Sequence, residues 1–80
     1  MTIRIVFLGP LADIAPAPDM RADAPLDWAG LLALAGEESA RHMRSDKVHV
    51  ACAGTVLADK TALNAQTGDE VAVLPPVSGG

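Results

Sequence analysis

Two runs of alternating side chains, one near each end of the chain, fix most of what this sequence can become. From Thr2 to Leu8, Ile3, Ile5 and Phe7 fall on one side of an extended backbone, and Arg4, Val6 and Leu8 on the other. Glu70 to Leu74 repeats the period, with Val71 and Val73 opposed to Ala72 and Leu74. Bulk on both sides of each run describes strands inside a sheet, and the β-branched residues suit that setting. If the two runs lie side by side and parallel, what joins them must cross one face of the sheet, in a right-handed connection.

The sequence between them supplies that crossing. Gly9-Pro10 ends the first strand, Leu11 to Ile14 has room for one helical turn, and Pro16 and Pro18 break the backbone. Asp19 to Asp23 reads as a charged edge strand. Asp27 is a candidate N-cap for a helix whose apolar stripe is Trp28, Leu31, Leu32 and Ala35, and Gly36 is a candidate C-terminal stop. Glu37 to Arg44 adds a second helical piece anchored by Met43. Val48, Val50 and Cys52 then alternate with His49, Ala51 and Ala53 as another strand. Gly54-Thr55 turns the chain into a short strand at Val56-Leu57. A turn at Asp59-Lys60, a helical turn over Thr61 to Leu63 and a turn at Thr67-Gly68-Asp69 lead to the last strand. The expected fold is α+β: a β-grasp, ubiquitin-like arrangement. It has a mixed sheet of about five strands, one main helix on one face and a C-terminal tail. The domain takes residues 1–74 and the tail residues 75–80.

Size and charge narrow the function. Of the 40 apolar residues among 80, 15 are Ala, so a thin core is all that can form. A chain this short buries roughly 60–65% of its unfolded surface, which leaves no room for a deep, self-contained active site. Ten acidic against six basic side chains give a net charge of −4, and the chain has one Phe, one Trp and no Tyr. That combination disfavours nucleic acid as a partner. Arg41, His42, Arg44 and Lys47 form the densest basic run and read as a solvated helix end. A single cysteine excludes an internal disulfide and suits a reducing compartment. No apolar run reaches the roughly 18–20 residues of a membrane span, and the N-terminus lacks a signal-peptide layout. The expectation is a cytoplasmic protein with no membrane partner.

Side-chain catalysis finds little support. His42 and His49 have no Cys, His or carboxylate at metal-ligand spacing, so no metal site is assigned. Cys52 shares a face with Val48 and Val50 and reads as a small buried hydrophobe. Asp69 and Glu70 point to opposite faces of an extended backbone and make a poor acid–base pair. Turn formation accounts for the first and solvation for the second.

The tail Pro75-Pro76-Val77-Ser78-Gly79-Gly80 is different. Two prolines cannot continue a central ladder and favour polyproline II geometry. At about 3.1 Å per residue, six residues span roughly 18 Å. Gly79 and Gly80 make the end as thin as a peptide can be. A narrow stalk carrying a carboxylate suits insertion into another protein's active-site tunnel.

The run Gly68-Asp69-Glu70-Val71-Ala72-Val73-Leu74-Pro75-Pro76-Val77-Ser78-Gly79-Gly80 resembles the C-terminal signature of the small subunit of molybdopterin synthase (the MoaD family of ubiquitin-like sulfur carriers). The strand Ile3-Arg4-Ile5-Val6-Phe7-Leu8 is similar to that family's first strand. One departure is Ala53, which precedes Gly54 where the family often has Asn. The resemblance implies that an ATP-dependent activating enzyme adenylates the Gly80 carboxylate. Sulfur from a sulfurtransferase persulfide then makes a thiocarboxylate. That group donates sulfur inside the large subunit (MoaE-type) to a cyclic pyranopterin precursor, forming the molybdopterin dithiolene. On this reading Gly80 is the covalent carrier, Gly79 keeps the stalk thin, and Pro75, Pro76, Val77 and Ser78 position it. The chain binds no cofactor itself and is no enzyme alone. Docking is expected on the sheet face beside the tail, near Phe7, Val56, Leu57 and Leu74. Three alternatives stand: a ThiS-type carrier for thiazole synthesis, a ubiquitin-like modifier conjugated to lysines, and an inert β-grasp interaction module.

Overall fold

The computed structural model describes residues 2–76, and every element below is counted among them. Strand β1 (Thr2–Phe7) leads through a short helix α1 (Leu11–Ile14) to β2 (Asp19–Asp23). After β3 (Leu26–Asp27) come helices α2 (Trp28–Ala35) and α3 (Glu37–Met43). Then follow β4 (His49–Cys52), β5 (Thr55–Val56), a 3-10 turn (Lys60–Ala62), β6 (Asn64–Ala65) and β7 (Glu70–Leu74).

The main sheet has the order β2-β1-β7-β4-β5. Strands β1 and β7 are its parallel central pair, with Ile5 opposite Val71 and Phe7 opposite Val73. Antiparallel partners flank them, β2 on β1 and β4 on β7. The alternation in the sequence therefore maps onto two faces. Ile3, Ile5, Phe7, Val50, Val71 and Val73 are buried under the helices. From α2 and α3, Leu31, Ala35 and Met43 close the other side of this core. Burying one such aliphatic side chain contributes about 1.5–3 kcal/mol, so the few large ones carry most of the core.

Local chemistry sets the helix ends. The Asp27 side chain accepts from the Gly30 amide at 2.8 Å, which caps α2. Gly36 at φ +87° stops α2 and turns the chain into α3, and its carbonyl accepts from the Ala40 amide. The β3–β6 ribbon was not expected from sequence. It pairs two residues with two, Leu26 with Ala65 and Asp27 with Asn64, which is too short to leave a period. The strand expected at Val56-Leu57 is shifted by one residue to Thr55–Val56.

Candidate functional site

The site is built around the end of β7. Because β7 is paired on both sides, the chain leaves from the middle of the sheet. The Leu8 amide donates to Val73 O at 3.1 Å, extending the parallel pairing past β1. Gly9 then turns at φ +58°, and a Cβ there would lie 3.1 Å from Pro75 Cγ. Glycine is required at this point twice over, for the backbone angle and for the space that the first tail proline occupies. Pro75 is half-buried in this seat and Pro76 is exposed. Val77, Ser78, Gly79 and Gly80 lie outside the described residues.

The sheet face turned away from the helices is open. The strand register places Val6, Ala72, Ala51 and Val56 side by side across it, with Leu74 and His49 paired at its tail end. Leu8 and Val56 are exposed at 39% and 54%, and Val6, Ala51, Ala72 and Leu74 are half-buried. An apolar strip thus runs to the root of the tail. Its far end is charged: Arg4 donates to Asp19 Oδ2 through Nε at 3.0 Å and Nη2 at 2.6 Å, and to Glu70 Oε2 at 3.3 Å. Arg4 holds the Asp19 carboxyl below its usual range. Glu70, read from sequence as merely solvated, is thus part of this ion pair.

The structure packs two of the four expected docking residues against the core. Phe7 is 2% exposed and belongs to the core, because it shares the parity of Ile3 and Ile5. Leu57 is half-buried and packs against the same core. Val56 and Leu74 are on the open face, and their missed neighbours are Val6, Leu8, Ala51 and Ala72. The period-two pattern groups Phe7 with Ile3 and Ile5 and sets Val6 and Leu8 on the opposite side.

Behind the tail root, on the helix side, is an apolar groove of about 240 Å³ lined by Pro10, Leu11, Ile14, His42, Ser45, Val48, Pro75 and Pro76. A second, mixed cavity of about 290 Å³ lies between Trp28, Arg44, Asp46, Asp59 and Lys60, where two cations face two carboxylates. Cys52 is half-buried, and its thiol donates to Asp69 Oδ2 at 3.7 Å. Burial first, and the Asp69 charge second, push the thiol above its usual pKa, which favours its protonated form. Asp69 also accepts from the Gln66 amide at 2.8 Å, which closes the turn into β7. Among the described residues, no three His, Cys, Asp or Glu side chains gather as a metal site. No helix among them is long and apolar enough to cross a membrane.

Comparison with known proteins adds the family. The profile of the ThiS family matches residues 5–80. No curated protein matches significantly. Among solved structures, small archaeal modifier protein 1 from H. volcanii is 28% identical, with a TM-score of 0.66 over 95% of this chain and 98% of its own. The complex of subunits 1 and 2 of molybdopterin-converting factor from Helicobacter pylori contains a chain 22% identical, with a TM-score of 0.65 and full coverage of both chains. The corresponding modifier protein from Methanosarcina acetivorans is 16% identical with a TM-score of 0.72, over 99% and 96%.

Proposed function

The chain belongs to the ThiS family of ubiquitin-like sulfur carriers, and from that premise we propose that it is the sulfur-donating small subunit of a molybdopterin synthase, working in the cytoplasm. The observation that carries this reading is the tail. Pro75 and Pro76 leave the centre of a sheet whose neighbouring face is an apolar strip, and the sequence continues from them as Val77-Ser78-Gly79-Gly80. The family match extends through Gly80, and a two-subunit molybdopterin-converting factor shares the fold.

The chemistry follows from what a carboxylate lacks. Its negative charge makes it a poor electrophile, so sulfur enters only after activation. The Gly80 carboxylate attacks the α-phosphorus of ATP on an activating enzyme, forming an acyl-adenylate and releasing pyrophosphate. A persulfide sulfur from a sulfurtransferase displaces AMP, and a thiol cleaves the resulting S–S bond to leave the thiocarboxylate. Inside the large subunit the thiocarboxylate sulfur bonds to the pyranopterin precursor, water cleaves the acyl–sulfur bond and regenerates the carboxylate, and two such transfers complete the dithiolene. Pro75, Pro76, Val77 and Ser78 position the stalk, and Gly79 leaves room for the tunnel wall. The open face at Val6, Leu8, Val56, Ala72 and Leu74 docks the large subunit.

A second reading, conjugation to lysine amines as a protein modifier, is favoured by the two similar structures described as small archaeal modifier proteins. Reconstitution separates them. Thiocarboxylated chain is incubated with the cognate large subunit and the cyclic precursor, and dithiolene product is measured. Product formation with return of the chain to its carboxylate mass supports the synthase reading. Absence of product, with covalent adducts on other proteins in the presence of the activating enzyme, supports the modifier.

A further inference from the structure

The turn between β1 and α1 is firmly built. The Leu8 amide donates to Val73 O at 3.1 Å, the Leu11 amide to Leu8 O at 3.3 Å, and the Ala12 amide to Gly9 O at 3.0 Å. Leu11 is buried and roots α1 in the core. Against this turn rests the Pro75 ring, over the bare Cα of Gly9: a Cβ there would lie 3.1 Å from Pro75 Cγ and 3.8 Å from Pro75 Cβ. Among the described residues, the other glycines at positive φ meet no such neighbour. A Cβ on Gly36 would come no closer than 3.8 Å to another residue, and on Gly54 or Gly68 it would enter open space. Gly9 therefore answers to the tail as well as to its own turn. Pro75 has a fixed φ and no amide with which to extend a ladder, so its ring is what the domain can hold. Leu74, just before it, is paired with His49 of β4. The first tail residue is thus seated between a paired strand end and an anchored turn.

We infer that Gly9 is a positioning residue for sulfur delivery: by seating the Pro75 ring it sets the direction in which the C-terminal segment leaves the domain. The inference rests on the tail insertion proposed above and adds to it a residue remote in sequence from the tail. A domain docked by its sheet face holds a fixed orientation on its partner, so the tunnel axis is fixed relative to β7. The root of the tail must then match that axis. Held extended inside a tunnel, the five residues after Pro75 reach roughly 15 Å at about 3.1 Å each, so a tilt of about 10° at the root shifts their end by about 3 Å. Misplacing reacting atoms by about 1 Å can slow a reaction about a hundredfold. A methyl group at position 9 pushes directly on the ring that sets this tilt, while the open face that docks the partner lies elsewhere on the sheet.

The test uses the thiocarboxylated full-length chain, its cognate large subunit and the cyclic precursor. Two quantities are read for each variant: the single-turnover rate of sulfur transfer with the large subunit saturating, and the Kd of the two subunits. The variants are Gly9→Ala, Gly9→Asn, Pro75→Ala and the double exchange Gly9→Ala with Pro75→Ala. Gly9→Ala should slow saturated transfer about ten- to a hundredfold, with Kd within about twofold of wild type. Asn tolerates the left-handed backbone but still carries a Cβ, so Gly9→Asn should transfer as slowly as Gly9→Ala while melting closer to wild type. Pro75→Ala removes the Cγ that a Cβ at position 9 would strike, and its own loss of transfer should be smaller. In that background Gly9→Ala should slow transfer no further, although it still lowers the melting temperature. Should alanine at position 9 unfold the domain, Gly9→Asn alone and combined with Pro75→Ala makes the same comparison. Wild-type rates in the folded Gly9 variants or in Pro75→Ala overturn the inference. So does an equal slowing by the Gly9 exchange with and without the Pro75 ring, which would mark a structural role only. A weakened Kd with an unchanged saturated rate also overturns it, in favour of a docking role. In all three cases wild-type transfer leaves the tail-insertion reading standing. A thiocarboxylated wild-type chain that transfers no sulfur overturns that reading, and this inference with it.

Discussion

The Lys60 ammonium lies 5.7 Å from the centre of the Trp28 ring and donates to the carbonyl oxygens of Ser45 and Val48, the latter at 2.7 Å. One side chain thereby ties the 3-10 turn to the start of α2 and to the turn between α3 and β4. Burial lowers the Lys60 pKa from 10.5, and Asp46 opposes that shift. Lys60→Met keeps the stem over Trp28 but removes both donors. The expected loss is about 1–3 kcal/mol, read as a lower midpoint in urea unfolding with an unchanged slope.

At the β4–β5 hairpin, Ala53 stands at φ +52° and Gly54 at φ +85°. Both central residues at positive φ are what a type I′ turn requires, and Asn-Gly is its preferred pair. Alanine carries the steric cost of the left-handed region, whereas Asn tolerates it. Ala53→Asn should therefore raise stability by about 0.5–1 kcal/mol, an effect in the range of single backbone-fitting exchanges. Thermal unfolding checks this, with an expected rise of about 2–8 °C.

The Cys52 thiol has a folded-state pKa raised above 9.0, by burial first and Asp69 second. Its contribution to stability is fully present below the unfolded-state pKa and is lost as pH rises through the folded one. Between neutral pH and 9.0 the wild type and Cys52→Ala should show parallel pH dependence. Above 9.0 the wild type should lose stability faster. Alkylation by iodoacetamide at neutral pH should be slower than for a free thiol, and Asp69→Asn should speed it.

On the open face, Leu74 sits beside the tail root and pairs in register with His49. Leu74→Glu places a charge where an apolar partner surface is expected, and burying it unpaired costs about 1–3 kcal/mol or more. Isothermal titration against the large subunit should show affinity reduced at least tenfold. The melting temperature should move little, because Leu74 is outside the buried core.

The sequence carried the fold because β1 and β7 alternate strictly and α2 holds an apolar stripe, signals spread over many residues. It did not carry the β3–β6 ribbon, where each strand is two residues long. Within the site, Pro75 was legible as the start of the tail. Its seat on Gly9 was not, since the contact joins residues 66 positions apart. The docking face was half legible. Parity separates Leu8 from Phe7, but which parity faces the helices depends on where α2 and α3 pack. The groove at Leu11, Ile14 and His42 required the three-dimensional arrangement of α1, α3 and the tail root. Lys60 left no periodic mark, because its partners are backbone carbonyls.

The most direct measurement of the central claim is the intact mass of the chain after co-expression with its activating enzyme and sulfurtransferase. Replacement of one terminal oxygen by sulfur predicts a gain of about 16 Da, localised to the fragment ending in Gly80 and absent when Gly80 is deleted. An unchanged mass under conditions that consume ATP, or the same gain in the chain lacking Gly80, would contradict sulfur carriage at the C-terminus.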